Sequence, residues 1–369
     1  EREVPPFLRT AAGESFYRVR KGQLQYLQAD GNYTTLERAP GVVRFSEKRR
    51  TLSLVAGNAK ASYYELDDDI GLVEFHSKAN TLDGESMQLL EHAVGDASRR
   101  FSGLIVHNDA QHFSCGVNLE SVLDFILRED WTGLDAFLNH FQQTVLAMKH
   151  APIPVVAAPA GLSLGGGFEV VLHSDKAIFH ANSVTGLVES LVGVVPGGGG
   201  VKEMLHRWTD HHGDSVKGAW STFMNIGYGK TARSPLEAEQ LAMFREGVDD
   251  YLMNRDRLLS SAIDAIRELR DGYAPAVRDP LQAAGPGVAE DMRTWLEEAL
   301  EKGRLTPHDV NTGAQIAMIV TGGGVDAGTA LTENGLCDLE RQAFLTLAQT
   351  AETRARIEFM LAHGTPLRN

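Results

Sequence analysis

Residues 161–170, GLSLGGGFEV, hold the elements of two different chemistries. Gly161-Leu162-Ser163-Leu164-Gly165 fits the G-x-S-x-G pattern that exposes a serine nucleophile on a sharp strand-to-helix turn. Such a serine needs a base, an orienting carboxylate and an oxyanion donor loop. His206, His211, His212, His308 and His363 lie downstream in no distinctive setting, and no HGG-type run lies upstream. Ser163 therefore reads as a small residue in a tight turn. The second chemistry belongs to the backbone. Gly165, Gly166 and Gly167 expose N–H groups with no side chain in the way. They open a helix whose N-terminus favours negative charge, such as a thioester oxygen becoming an enolate. Glu169 then falls in the first turn of that helix. A second glycine-rich run, 185–200 (TGLVESLVGVVPGGGG), carries Glu189 among Leu187, Val188, Leu191 and Val192. Apolar surroundings raise a carboxyl toward neutral pH, where proton transfer works best. Glu169 and Glu189 are thus a candidate acid/base pair.

The elements that must position these groups follow from pattern. PIPVVAAPA (152–160) is a buried-strand candidate leading into the glycines, and KAIFHA (176–181) is another. Residues 61–67, 70–76 and 103–107 read as strands. Residues 84–100 have helical spacing with Asp83 as N-cap, and 134–149 is helical. Strands alternating with helices predict an α/β half with crossover connections. From about 215 the pattern is helical, over 234–245, 254–270, 287–302, 308–320 and 340–362. In the first 50 residues two alternating runs flank Ala29-Asp30-Gly31-Asn32, a hairpin signal. The organisation expected is a β-rich segment 1–55, a core 56–285 and a helical region 286–369.

The 369 residues carry 49 Asp and Glu against 35 Lys and Arg, a formal net charge of −14. That balance argues against nucleic-acid binding and against anionic membranes. No stretch is apolar enough to insert in a bilayer. Two cysteines, Cys115 and Cys337, fit a reducing compartment, so the expected location is cytoplasmic. His206, Asp210, His211 and His212 read as a polar helix end, and no metal site is expected. Cys115 reads as a small buried residue. Gly322-Gly323-Gly324 follows a helical pattern and lacks the strand that a dinucleotide-binding loop needs.

Four blocks, in order, resemble the crotonase (enoyl-CoA hydratase/isomerase) superfamily: HSKANTLD (76–83), HFSCGVNLE (112–120), APIPVVAAPAGLSLGGGFEVVLHSD (151–175) and GLVESLVGVVPGGGG (186–200). The outer parts are similar to the end of a 3-hydroxyacyl-CoA dehydrogenase region (1–55) and to the tail of bifunctional dehydrogenase/hydratase proteins, whose NAD domain is not in this chain. The resemblance implies an α/β crotonase-type spiral of ββα units with a helical C-terminal region and a small N-terminal β-rich segment. It implies hydration of trans-2-enoyl-CoA thioesters to 3-hydroxyacyl-CoA in fatty-acid β-oxidation. The oxyanion donors would be the N–H groups of Val117 and Gly166. Glu169 would activate water, and Glu189 would deliver a proton to Cα. Lys78 and Ala79 would line the adenine pocket, with Lys78 and Lys202 as candidate phosphate contacts. Asn118 stands where many members of the family have Asp. Segment 215–283 is expected to shape the acyl tunnel. No cofactor beyond the coenzyme A of the substrate is implied, and the expected assembly is a homo-oligomer. The rival readings are a Δ3,Δ2-enoyl-CoA isomerase, which needs one carboxyl, and a non-catalytic acyl-CoA-binding or oligomerisation module.

Overall fold

The computed structural model describes residues 3–275 and 277–369. A seven-stranded sheet runs in the order Asp250–Leu252, Lys176–His180, Val155–Ala158, Gly103–His107, Ile70–Phe75, Ala61–Leu66, Ser53–Gly57. The first five of these are parallel to one another, and the last two pair antiparallel. A smaller sheet joins Leu162–Leu164, Val184–Gly186 and Thr231–Ala232.

One path through these two sheets is repeated along the chain. Each turn runs up a strand of the large sheet, touches the small-sheet layer, then enters a helix or helical turn. Ile70–Phe75 leads to Leu82 and the helix Gly84–Arg100. Gly103–His107 leads to Ser114–Val117 and the helix Leu119–Leu127. Val155–Ala158 leads to Leu162–Leu164 and the helix Gly166–Leu172. Lys176–His180 leads to Val184–Gly186, the 3₁₀ turn Glu189–Val192 and the helix Gly200–His212. Parallel bridges stack the middle legs in register: Leu82 on Val117, Ser114 on Ser163, Ser163 on Thr185, Leu164 on Gly186. The points where successive turns leave the small-sheet layer are therefore neighbours in space, although far apart in sequence.

Local sequence explains the elements closely. Asp83 accepts from Ser86 N and caps the helix Gly84–Arg100 as expected. The N-terminal hairpin forms between Gln23–Leu27 and Tyr33–Thr35, with Tyr17–Arg20 as a third strand. The strand Ser53–Gly57 spans the expected boundary at 55, and Gly285 caps the helix Pro286–Glu301 at the other one. Two expectations change. Residues 340–362 are not one helix but parts of two, Glu333–Ala348 and Ala351–His363, because Thr350 caps the second through Thr353 N. The helix expected over 234–245 stops at Gln240, since Ala242 takes a φ of 54°. Gly322, at φ 101°, ends the helix Pro307–Thr321 by a left-handed cap.

Apolar side chains cover both faces of the large sheet. One face carries the main core, including Phe141, Phe168 and Val171. The opposite face packs Ile70, Leu72, Ile105 and Val156 under the helix Leu258–Leu269, with Phe45 from the N-terminal segment beside them. Among the described residues no helix is long and apolar enough to cross a membrane.

Candidate active site

A cavity of about 390 Å³ opens where the turns of the spiral leave the small sheet. Its wall is apolar apart from a few groups: Glu169, Glu189, Cys115, Thr231 and local backbone. Val117 and Gly165 line it as well, and Gly166 adjoins them.

The glycines are required by close approach. Gly165 has φ 50°, and a Cβ there would lie 2.7 Å from Glu189 Oε1. A Cβ on Gly166 would meet Val117 Cγ2 at 2.9 Å, and one on Gly167 would meet Ser114 at 2.5 Å. The segment Gly116-Val117 thus lies directly against Gly165-Gly166. Neither Val117 N nor Gly166 N has an acceptor among the described residues. Both N–H groups belong to adjacent corners of the spiral, so the sequence-predicted donor pair is brought together.

Glu169 is 2% exposed. Its Oε1 accepts from Gly198 N and Gly200 N, each at 2.8 Å. Burial raises its pKa to about 7, against the opposing pull of those two N–H groups and of the Lys202 ammonium. Glu189 rises well above the usual carboxylate range, from burial first and then from the charge of Glu169. Its Oε2 is buried without a hydrogen-bond partner among the described residues. An oxygen so placed is stable as a protonated group or when a ligand supplies the partner.

Ser163 is fully buried in the small sheet, its Oγ 3.5 Å from Gly167 O, and it does not line the cavity. Cys115 does line it, but burial raises its thiol pKa, and Cys337 is pushed up to about 12; both thiols are free. Lys78 and Ala79 are exposed on a short turn outside the cavity, with Ala79 at φ 54°. The Ala79 carbonyl accepts from Cys115 N at 3.2 Å, which ties that turn to the Val117 loop. Asn118 anchors the loop from both sides: its N donates to Leu82 O at 2.8 Å, and its side chain accepts from Glu120 N at 2.9 Å. Trp208 stacks on His212 at 5.3 Å, and among the described residues no group of His, Cys, Asp and Glu is arranged for a metal.

Two expectations are corrected. Lys202 meets no solvent: it is fully buried, 2.5 Å from Glu203 Oε1 and 3.2 Å from Glu333 Oε1, so it is not a phosphate contact. Of the described residues of segment 215–283 only Thr231 reaches the cavity. The far wall comes instead from Phe344, Ile357, Met360 and Pro366 of the C-terminal region. That region also braces both carboxyl turns. Glu340 accepts from Gly199 N and Lys202 N, Thr353 Oγ1 donates to Gly193 O at 2.7 Å, and Arg356 donates to Ser190 O at 3.3 Å.

Residues 65–225 match the family described as enoyl-CoA hydratase/isomerase. Over those residues the chain is similar to a crotonase-family domain. Over 357 residues it is 32% identical to a Bacillus subtilis protein named "Probable 3-hydroxyacyl-CoA dehydrogenase", covering 96% of this chain and 45% of that protein. The chain spans less than half the length of the curated relatives it matches. Among solved structures, an enoyl-CoA hydratase from Bacillus halodurans superposes with a TM-score of 0.56 at 18% identity, covering 81% of this chain and 99% of that one. An enoyl-CoA hydratase/isomerase from Mycobacterium paratuberculosis gives 0.54 at 15%, covering 82% and 98%. The fold is the α/β crotonase-type spiral with its helical C-terminal region.

Proposed function

We propose that this chain is an enoyl-CoA hydratase that adds water across a trans-2-enoyl-CoA thioester to give 3-hydroxyacyl-CoA, as in fatty-acid β-oxidation. The observation that carries the reading is the pairing of two carboxyls, the buried Glu169 and the half-buried Glu189, on one apolar cavity beside two N–H groups without acceptors among the described residues. A thioester oxygen between Val117 N and Gly166 N would gain charge as water attacks Cβ; each such donor contributes about 3–4 kcal/mol in the transition state. Glu169, whose Oε1 is held by two N–H groups near a lysine, is the better anion and takes the proton of water. Glu189, with one unpartnered oxygen and a like charge beside it, is the better acid and protonates Cα. After turnover the proton passes from Glu169 back to Glu189, and the pair titrates as a unit.

An isomerase moves one proton and needs one carboxyl; the presence of both on the cavity favours hydration. Lys78 and Ala79, on the turn tied to the Val117 loop, are the proposed contacts for the adenine end of coenzyme A, and no further cofactor is needed. The proposal extends to a cytoplasmic homo-oligomer, checked by light scattering and cell fractionation. The deciding experiment is the ultraviolet absorbance of a short trans-2-enoyl-CoA mixed with the chain, beside Glu189→Gln. Loss of the conjugated-thioester band with wild type, slowed about 10²–10⁴-fold in the variant, supports the hydratase. An unchanged band with both short and long substrates rejects it in favour of a binding module.

A further inference from the structure

The helix Gly200–His212 begins with N–H groups that have no partner within the helix. Two carboxylates from distant helices share them and the turn before. Glu169 takes Gly198 N and Gly200 N, each at 2.8 Å. Glu340, from the helix Glu333–Ala348, takes Gly199 N at 2.9 Å with Oε2 and Lys202 N at 2.7 Å with Oε1. The acceptors alternate along one turn. Glu169 faces the cavity, whereas Glu340 is fully buried and lines no part of it. A Cβ on Gly198 would lie 2.5 Å from Glu169 Oε2, and one on Gly200 would lie 2.8 Å from Oε1, so the turn and the Glu169 carboxyl are in tight contact.

We propose that Glu340 is a positioning residue for the hydration: it pins the turn 198–202 and thereby aims the Glu169 carboxylate. The inference rests on the reading of Glu169 as the group that activates water. Releasing Gly199 N and Lys202 N frees the turn to drift, and the two N–H groups that stabilise the Glu169 anion drift with it. A misplacement of about 1 Å at such a site costs up to about 10²-fold in rate. The other charged groups near the pair have side-chain partners other than Glu340. Glu189 faces Glu169 across the Gly165 backbone, and Lys202 is held by Glu203 and Glu333. Lys149 pairs with both of those glutamates, and Arg278 with Glu203. His173, which donates from Nδ1 to Glu169 O and accepts at Nε2 from Lys202, is kept neutral by burial.

The test uses the full chain with Glu340→Gln, which puts a donor against one of the two N–H groups, and Glu340→Asp. The Asp variant keeps the carboxyl, which in wild type burial and the charge of Glu169 push well above the usual carboxylate range, but is too short to span both N–H groups. Wild type, measured first, must hydrate a short trans-2-enoyl-CoA; an inactive wild type overturns the hydratase reading and this inference with it. With active wild type, the expected result is a fall in kcat of about 10–100-fold in both variants, with KM within about threefold. The acid limb of the kcat–pH profile moves to higher pH in both, because Glu169 loses N–H support. Circular dichroism confirms that the helices are intact, and the Asp variant carries the test where Gln disturbs folding. An unmoved limb in both variants overturns the positioning role. So does a limb that moves to lower pH in Gln alone, which would mean that only the charge of Glu340 matters.

Discussion

The segments at the two ends of the chain attach to the same spiral in opposite ways. The N-terminal segment sits on the face of the large sheet away from the cavity. Phe45 is its fully buried aromatic anchor, with Val43 and Leu52 packed half-buried beside it and Arg49 paired with the buried Glu74 at 2.9 Å; other links are Arg44 to Asp256 at 2.7 Å, Ser260 Oγ to Gly41 O at 2.6 Å and Val43 N to Asp256 O at 2.8 Å. The C-terminal helices instead enter the site. They wall the cavity with Phe344, Ile357 and Met360, and they hold the Glu169 turn through Glu340 and the Glu189 turn through Thr353 and Arg356. Gln142 Nε2 bridges Gly197 O and Cys337 O, both at 2.8 Å, and so joins the spiral to the same helix. The contrast separates a docked segment from one that walls the cavity, and it makes different predictions for similar residues at the two ends.

The largest effect is expected where both carboxyl turns are aimed. Glu169→Gln or Glu189→Gln lowers kcat by about 10²–10⁴-fold, read by steady-state hydration kinetics, with the helical signal intact. With Glu169 as the proposed base, the kcat of wild type is expected to fall as pH drops below about 7, where its carboxyl becomes protonated. Stability carries the opposite sign. The folded pKa of Glu169 lies above its ordinary value near 4.5, so the native state holds more protons between the two values. Its stabilising contribution is full below about 4.5 and is lost as pH rises through about 7. Glu169→Gln therefore gains stability over wild type at pH 8 and not at pH 4, measured by denaturant unfolding. A flat difference between the two pH values would mean that the carboxyl is not held neutral by burial.

Two buried phenylalanines sharpen the contrast. Phe45→Ala and Phe344→Ala each remove a large side chain that is nearly or fully buried, at a cost of about 3–5 kcal/mol. Phe45 touches nothing near the cavity, so kcat and KM of the surviving folded protein stay at wild-type values. Phe344 is cavity wall, so its loss also changes the ratio of kcat/KM between long and short enoyl-CoA substrates in favour of the long. An unchanged ratio would remove the C-terminal helices from the acyl wall.

The difference between the two ends also marks what the sequence could disclose. The carboxyls, the glycines and the Val117 loop lie in short local blocks, and the helix capped by Asp83 ends within a residue of its expected bounds. These features depend on neighbours in the chain. The partnership of Gly199 with Glu340 spans 141 residues, and Arg356 with Ser190 spans 166. No periodicity encodes such pairs: Glu340 and Arg356 look like solvated charges on amphipathic helices until the fold buries them. Lys202 misled for the same reason, since a lysine beside a glycine turn suggests an anion contact, and only the fold places Glu203 and Glu333 around it. The one local signal available was negative. Glycine turns at 165–167 and 197–200 had to be braced by something, and no side chain adjacent in sequence could do it.

Two Arg–Asp pairs of nearly equal length give the finest test. Arg356 lies 2.8 Å from Asp309 and is 2% exposed, while Arg44 lies 2.7 Å from Asp256 with both side chains more than a third exposed or close to it. Removing one partner of a buried pair costs about 3–5 kcal/mol, and Arg356→Ala also frees Ser190 O beside the Glu189 turn, so kcat falls together with stability. A solvated pair is worth about 0–1 kcal/mol. Arg44→Ala is therefore expected to shift the unfolding midpoint only slightly, to lose even that shift in high salt, and to leave kcat unchanged. A fall in kcat with Arg44→Ala would show that the N-terminal segment reaches the site through the sheet, since Asp256 lies two residues before the helix Leu258–Leu269, which packs on the strand Val155–Ala158 leading to Gly165.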